Sequence, residues 1–416
     1  MANKSYSDST WDFIGVNTKE STHCFHAYPA MMIPQVAERL IAQHGQHAKL
    51  LFDPYCGTGT SLVEANRKNI HAIGTDLNPL ARLIAQAKTT PLNLQVLDLY
   101  LKDFSDYLFS ILFDIHKISV VTPNIKNIDY WFSPPVQTQL AVVNTFINGI
   151  TDESIANFFK VAFSETVRES SWTRNGEFKL FRMTPQQMQR FNPDVFGLIQ
   201  GKLARNKRGL KALLDMHCTA TSRVCAFNTV EHIEQIENGS VDLIVTSPPY
   251  GDSRTTVAYG QFSRLANEWL GIDGAAHIDN QLMGGQIKRT AAGSLCELDE
   301  FNSAMEQIAA IDDKRANEVS AFYWEYQQSI ENVAKTVKPG GHVCYVVGNR
   351  KVKGITLPTD EVTRCLFERQ GFVHIETVIR NIPNKRMPSK NSPTNIVGRT
   401  DSTMNNEYIV VMKKCE

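Results

Sequence analysis

The 416-residue chain lacks an excess of either charge: 43 Lys+Arg stand against 43 Asp+Glu, a formal net charge of zero. That balance excludes a globally basic nucleic-acid coat and an acidic tail protein. Unbroken apolar runs of the ~18 residues that mark a membrane helix are also missing. The opening MANKSYSDST has no apolar stretch of the kind a secretory signal needs. A soluble, cytoplasmic protein with no membrane partner is the expectation. Its eight cysteines (Cys24, Cys56, Cys218, Cys225, Cys296, Cys344, Cys365 and Cys415) form no C-x-x-C pair. This argues against a zinc ribbon and a disulfide framework, so free, mostly buried thiols and no metal are expected. What remains is ordinary globular usage, 42% hydrophobic and 21% charged, enough to bury a sizeable core. Chains beyond about 250–300 residues tend to split or acquire insertions, so one core with an added module is predicted.

Along the chain, Leu50-Leu-Phe-Asp53 is a short apolar run that stops at an acid, passes through Pro-Tyr-Cys-Gly57-Thr-Gly59 and becomes helix-like. His71-Ala-Ile-Gly-Thr-Asp76 repeats the theme, with a helix around residues 80–88. The βαβα order signifies a parallel sheet covered by helices. From about 96 to 217 the alternation lapses into helical periodicity. It resumes with predicted strands at Arg223–Asn228, Val241–Thr246, His342–Val347, Phe372–Ile379 and Asn406–Lys413, and with helices near 230–237, 317–337 and 360–370. The last two strands have no helix between them and are expected to pair as an antiparallel hairpin at a sheet edge.

The expected fold is therefore an α/β, doubly wound seven-stranded sheet with a terminal antiparallel hairpin and a mainly helical insertion. Its core comprises residues 20–95, 218–265 and 318–416. A larger insertion spans 96–217 and a smaller one 266–317.

In such sheets ligands bind beyond the carboxyl ends of the strands, near the point where strand order reverses. Here those ends carry Asp53 to Gly59, Asp76, and Ser247-Pro-Pro-Tyr250. Gly57 and Gly59 allow the backbone close to a ligand, and Asp76 stands where a ribose diol is usually held. No lysine follows at P-loop spacing. Read by itself, Asp53 serves equally as a carboxylate that closes the turn. A second Ser-Pro-Pro, Phe132-Ser133-Pro134-Pro135, follows no apolar strand and reads as a helix N-terminus.

The ordered pair Asp53-Pro-x-x-Gly57-x-Gly59-Thr60 and Thr246-Ser247-Pro-Pro-Tyr250 resembles the S-adenosylmethionine-dependent amino-methyltransferases of DNA, the N4-cytosine type in particular. His23-Cys-Phe-His26-Ala-Tyr28-Pro29-Ala30-Met31-Met32-Ile33-Pro34 resembles the segment these enzymes use to complete the methionine side of the cofactor pocket, and Phe163 to Glu169, Gly251 to Ser263 and Arg386 to Asn395 are similar to further segments of that group. The resemblance implies a class I methyltransferase sheet with S-adenosylmethionine as cofactor, held by His26, Tyr28, Asp53, Tyr55, Gly57, Gly59, Thr60, Asp76 and Asn228. It implies a catalytic turn of Ser247, Pro248, Pro249 and Tyr250, with the Ser247 hydroxyl and the Pro248 carbonyl accepting from the target amine and Tyr250 stacking on a flipped base.

Double-stranded DNA is the implied partner, with a restriction endonuclease encoded alongside. In the family this chain resembles, Ser before Pro-Pro-Tyr goes mainly with cytosine N4 and Asp mainly with adenine N6. Adenine N6 methylation of DNA, guanosine N2 methylation of RNA and a silent nucleic-acid-binding subunit stay open as alternatives. The stretch 160–211 holds eleven Lys/Arg against four acids. Arg168, Arg174, Lys179, Arg182, Arg205, Lys207 and Arg208 are candidate DNA contacts there, joined by Arg254, Lys385 and Arg386 from loops. A solvated helical face is the other reading of that charge.

Overall fold

In a computed structural model, the apolar runs at Leu50–Asp53 and Val241–Thr246 form the centre of a sheet and are buried on both sides. The structure describes residues 5–113, 120, 122–174, 176, 178–252, 256–285, 298–382, 390–391, 401–402 and 405–416. Its strands are β1 (Ser5–Ser7), β2 (Leu50–Asp53), β3 (His71–Thr75), β4 (Ser222–Cys225), β5 (Val241–Thr246), β6 (Val337–Val347), β7 (Lys351–Val352), β8 (Ile355–Thr356), β9 (Phe372–Asn381), β10 (Lys390–Asn391), β11 (Asp401–Ser402) and β12 (Asn406–Lys414). The main sheet runs β1-β9-β12-β6-β5-β2-β3-β4. β7 with β8 and β10 with β11 make separate two-stranded pairs.

Strands β2 to β6 are mutually parallel, while β12 is antiparallel to both β6 and β9. The chain lays β2, β3 and β4 outward in one direction, then returns to place β5 on the other side of β2. The reversal therefore falls between β2 and β5, and the carboxyl ends of those two strands meet there.

Alternation along the strands divides the core. Leu51, Leu243 and Val245 pack with Val36, Leu40 and Leu62 on one face. Phe52, Ile244 and Tyr345 pack with Phe322, Tyr326 and Ile330 on the other. The helices are α1 (Pro34–His44), α2 (Thr60–Arg67), α3 (Pro79–Thr89), α4 (Leu94–Phe113), α5 (Ile128–Trp131), α6 (Pro134–Asn148), α7 (Glu153–Ser170), α8 (Pro185–Arg190), α9 (Val195–Leu214), α10 (Tyr259–Trp269), α11 (Ile278–Gln281), α12 (Asp299–Ile311), α13 (Asp313–Thr336) and α14 (Thr359–Arg369). Helices α3 to α7, α9 and α10 share a third apolar cluster that includes Phe25 and Tyr28. No helix among the described residues is long and apolar enough to cross a membrane.

Five expectations about the fold and its thiols need correction. The sheet has eight strands, because β1 pairs in parallel with β9 through Ser5, Tyr6 and Ser7; all three are exposed, so no apolar pattern announces them. β9 and β12 pair antiparallel as expected, but β1, outside β9, takes the sheet edge and β12 lies inside, between β6 and β9. The strand predicted to reach Asn228 stops at Cys225, where the Thr75 hydroxyl takes the carbonyls of Cys225 (3.3 Å) and Phe227 (2.6 Å). No helix forms at 230–237: the Asn332 side-chain amide takes the carbonyls of Thr229, Val230 and Glu231, which a first helical turn would need. Among the cysteines, Cys56 and Cys344 are buried free thiols, four others are free but less buried, and Cys365 is disulfide-bonded; Cys296 lies outside the described residues.

Candidate active site

The carboxyl ends of β2, β3 and β5 open into a cleft of about 1090 Å³, partly continuous with solvent. Tyr28, Asp53, Tyr55, Gly57, Thr60, Asp76, Asn228, Ser247 and Pro249 all line it. The turn after β2 takes positive φ at Gly57 (49°) and Gly59 (77°). A Cβ on Gly59 would sit 2.9 Å from Ala85 Cβ, so glycine there lets α2 and α3 close. Gly57 serves differently: a Cβ would meet nothing, and its N–H donates to Asp76 Oδ2 at 3.0 Å.

Asp76 Oδ1 accepts from the Asn78 N–H at 2.7 Å, just before α3 begins. Each carboxylate oxygen thus has one backbone donor and a remaining lone pair. Burial pushes its pKa up, opposed by those two N–H groups.

Asp53 is more deeply committed. It accepts from the Ser61 hydroxyl, from Thr246 Oγ1 (2.5 Å) and from the Tyr55 N–H (3.1 Å). Burial raises its pKa to about 6 even so. Asp53 ties the β2 turn to the end of β5, which is the turn-closing role. The Tyr55 hydroxyl is held by Ser329 Oγ at 2.5 Å.

Along the opposite wall Tyr28 stacks on Tyr259, ring centroids 5.9 Å apart at 11°. The Asn78 amide is directed at the Tyr28 hydroxyl (2.9 Å), the Tyr259 carbonyl (3.2 Å) and Ser263 Oγ (3.0 Å). His26 does not line the cleft. It is buried against Tyr28 and Phe262, neither ring nitrogen has a partner, and burial depresses its pKa to about 4.

Met31 and Met32, from the segment expected on the methionine side of the pocket, also line the cleft, as do Tyr259 from the 251–263 segment and three residues that sequence reasoning missed, Asn78, Leu282 and Met283. Asn78 carried a signal, standing before Pro79 at a strand-to-helix junction. Leu282 and Met283 come from the second insertion and had none.

At the end of β5, Ser247 Oγ lies 3.1 Å from the Val346 carbonyl oxygen and 3.2 Å from the Tyr250 hydroxyl oxygen. Tyr250 donates its own hydrogen to Glu407 Oε1 at 3.0 Å. Beyond the turn, buried Asp252 accepts from Arg315 (2.7 Å) and Arg350 (3.2 Å). Pro248 and Tyr250 are not in the cleft lining, whereas Ser247, Pro249 and Gly251 are.

A family model described as DNA methylase matches residues 2–87. Over 422 residues the chain is 39% identical to the type II methyltransferase M.MvaI of Kocuria varians, covering 96% of this chain and 93% of that protein. The chain belongs to the DNA methylase family. It is also 20% identical to the type II methyltransferase M.BsoBI of Geobacillus stearothermophilus, over 86% of this chain and 80% of that protein. Among solved structures, a SAM-dependent methyltransferase of Methanosarcina mazei aligns over 94% of this chain and 99% of that one, at 9% identity and a TM-score of 0.33.

The basic segment of this DNA methylase divides in two. Arg168 is buried, its guanidinium 4.2 Å from the Phe262 ring centroid, and burial lowers its pKa to about 10. Arg205 pairs with Glu165 (2.6 Å) and caps the Phe25 carbonyl (2.8 Å), while Lys207 pairs with Asp98. These three knit helices α4, α7, α9 and α10 and the Phe25 segment together. Arg168 has no face to offer DNA, and the other two are engaged within the fold. Arg174 and Arg208 are exposed, and Lys179 lies within electrostatic reach of Asp279. Arg182 stacks on Tyr130 at 4.0 Å. Arg254, Lys385 and Arg386 lie outside the described residues. Gly59 is buried in the turn between Cys56 and α2 and is not in the cleft lining. Among the described residues no group of three His, Cys, Asp or Glu is placed to hold a metal ion.

Proposed function

We propose that this DNA methylase transfers a methyl group from S-adenosylmethionine to the exocyclic N4 of cytosine in double-stranded DNA. It acts at a specific sequence on a base flipped out of the duplex, as the modification enzyme of a restriction–modification system. The observation that carries this reading is the placement of Ser247 across the β2/β5 reversal from the Gly57–Gly59 turn, with the Val346 carbonyl and the Tyr250 oxygen both within reach of its hydroxyl hydrogen. One hydrogen and two outward neighbours, the Val346 carbonyl and the Tyr250 oxygen, leave Ser247 lone pairs to face a ligand.

The cofactor fits the residues present. Asp76 keeps one lone pair on each oxygen for ribose hydroxyls, Gly57 leaves open space beside the backbone, and Phe227 and Asn228 in the lining offer a ring face and a side-chain amide for adenine. When bound, S-adenosylmethionine supplies an electrophilic methyl group.

The protein's own task is the amine. Its lone pair is delocalised into the ring, and two acceptors on its hydrogens favour a pyramidal nitrogen. Ser247 Oγ and the Pro248 carbonyl are those acceptors, and the Tyr250 ring is the stacking platform. Arg174, Lys179, Arg182 and Arg208, with Arg254, Lys385 and Arg386, are the proposed phosphate and base contacts, and residues 96–217 the proposed recognition region. Kinship with type II methyltransferases supports the restriction–modification setting.

Expression in a methylation-free bacterial host, followed by mass spectrometry of genomic DNA, tests the reading. N4-methylcytosine is expected, and Ser247→Ala abolishes it. N6-methyladenine alone overturns the base, methylated RNA with unmodified DNA overturns the substrate, and no methylation of either supports a silent subunit.

A further inference from the structure

Tyr250 is anchored at its hydroxyl, and the anchor continues inward. Glu407 on β12 accepts from Tyr250 through Oε1 (3.0 Å) and from Arg380 on β9 through Oε2 (2.5 Å). Arg380 is 4% exposed and donates through Nε to the Trp11 carbonyl at 2.8 Å. A continuous line of hydrogen bonds thus joins Ser247, Tyr250, Glu407, Arg380 and the N-terminal segment.

The direction of each hydrogen follows from the chemistry of the groups. A guanidinium only donates and an ionised carboxylate only accepts. Arg380 therefore fixes Glu407, and Glu407 draws the phenol hydrogen of Tyr250 toward itself. The Tyr250 oxygen then presents a lone pair to Ser247, so the serine hydrogen points along this line or to Val346. Take Glu407 away and the phenol hydrogen is free to turn back. Ser247 Oγ, 3.2 Å distant, then lies within its reach as an acceptor.

We propose that Glu407 is a positioning residue for methyl transfer: by holding the phenol hydrogen of Tyr250, it keeps the Ser247 oxygen open as an acceptor for the target amine. This rests on the catalytic reading of Ser247. It gives Tyr250 a second duty besides stacking, and it explains why an ionic pair from the two C-terminal strands is buried behind the turn.

Glu407→Gln tests it with nearly unchanged shape. Arg380 demands the amide oxygen, which leaves the amide N–H₂ facing Tyr250 and sends the phenol hydrogen to Ser247. The kcat is expected to fall about 10- to 100-fold, as for loss of one hydrogen bond to a charged group. The KM for S-adenosylmethionine stays within about twofold, since the cofactor turn is untouched.

Tyr250→Phe alone lowers kcat about 3- to 10-fold, as for a neutral bond. The double variant Glu407→Gln/Tyr250→Phe is expected to recover to the Tyr250→Phe level, because no phenol hydrogen remains to occupy the serine. A merely structural role for Glu407 predicts no such recovery. A double variant as slow as Glu407→Gln, or a Glu407→Gln enzyme at full speed, overturns the proposal. Full activity of Ser247→Ala overturns the catalytic reading beneath it instead.

Should Glu407→Gln fail to fold, Glu407→Leu with Arg380→Leu removes both charges at once. It leaves the phenol equally without its acceptor, and the same relief by Tyr250→Phe is expected.

Discussion

Replacing Asp53 by asparagine should stabilise the protein increasingly as pH rises. Asp53 is 2% exposed, and burial lifts its pKa from 3.8 to about 6 despite three donors on the carboxylate. Because the folded-state value lies above the unfolded one, stability is fully present below pH ~3.8 and is lost as pH rises through 6. A shift of roughly two units corresponds to about 3 kcal/mol carried as a penalty above pH ~7, against about 0.5 kcal/mol at pH 4. Asparagine has no charge to desolvate. Ser61 and Thr246 can rotate their hydroxyls to suit it, and its oxygen can still accept from Tyr55.

The measurement is urea unfolding of both proteins at several pH values between 4 and 8, taking the difference at each. Subtraction removes every other titrating group, and any fixed cost of the amide appears as a constant offset. The difference should move in favour of the variant by about 2 to 3 kcal/mol across that range, with most of the change between pH 4 and 6. A difference that stays flat refutes the argument that a buried, raised-pKa carboxylate closes this turn.

Other outcomes follow from the same geometry. Gly59→Ala imposes a left-handed φ on alanine and a 2.9 Å contact with Ala85 Cβ; thermal melts should show a loss of about 1–3 kcal/mol. Asp76→Ala removes both acceptors beside Gly57 and should weaken S-adenosylmethionine binding by about tenfold or more in calorimetry, without altering DNA affinity. Arg205→Ala leaves buried Glu165 with only the Ala27 N–H and Lys202 at 4.0 Å, and should cost about 1–3 kcal/mol of stability. Arg208→Ala should leave stability within about 0.5 kcal/mol but reduce the salt slope of DNA binding by about one.

The sheet's centre was legible because parallel strands covered on both faces must be written as short apolar runs, as Leu50–Asp53 and Val241–Thr246 are. The two Ser-Pro-Pro sequences were separable for a related reason. One follows such a run, while the other begins α6 at Pro134, where proline suits a first helical turn. β1 was illegible because a polar, exposed strand satisfies its backbone without an apolar face. The absent helix at 230–237 turned on Asn332, about a hundred residues away, and no local pattern reports that. Charge counting found the basic insertion but could not tell Arg168 and Arg205 from Arg208, since an arginine inside an ion pair or over an aromatic ring is spelled like one in solvent. The cleft's Leu282 and Met283 were hidden for the same reason: proximity created by tertiary packing leaves no trace in spacing.

The position of β12 bears on how the molecule is made. A ribosome delivers β6 and β9 well before residues 406–414, and until those emerge both strands present an unsatisfied edge rich in valine and isoleucine. Such edges are templates for pairing with other nascent chains. β12, synthesised after both of its neighbours, fills the gap between them and brings Glu407 behind the catalytic turn in the same event. Completion of the sheet and assembly of the site are thus one step, so shortened translation products ending before residue 406 should be both aggregation-prone and inactive.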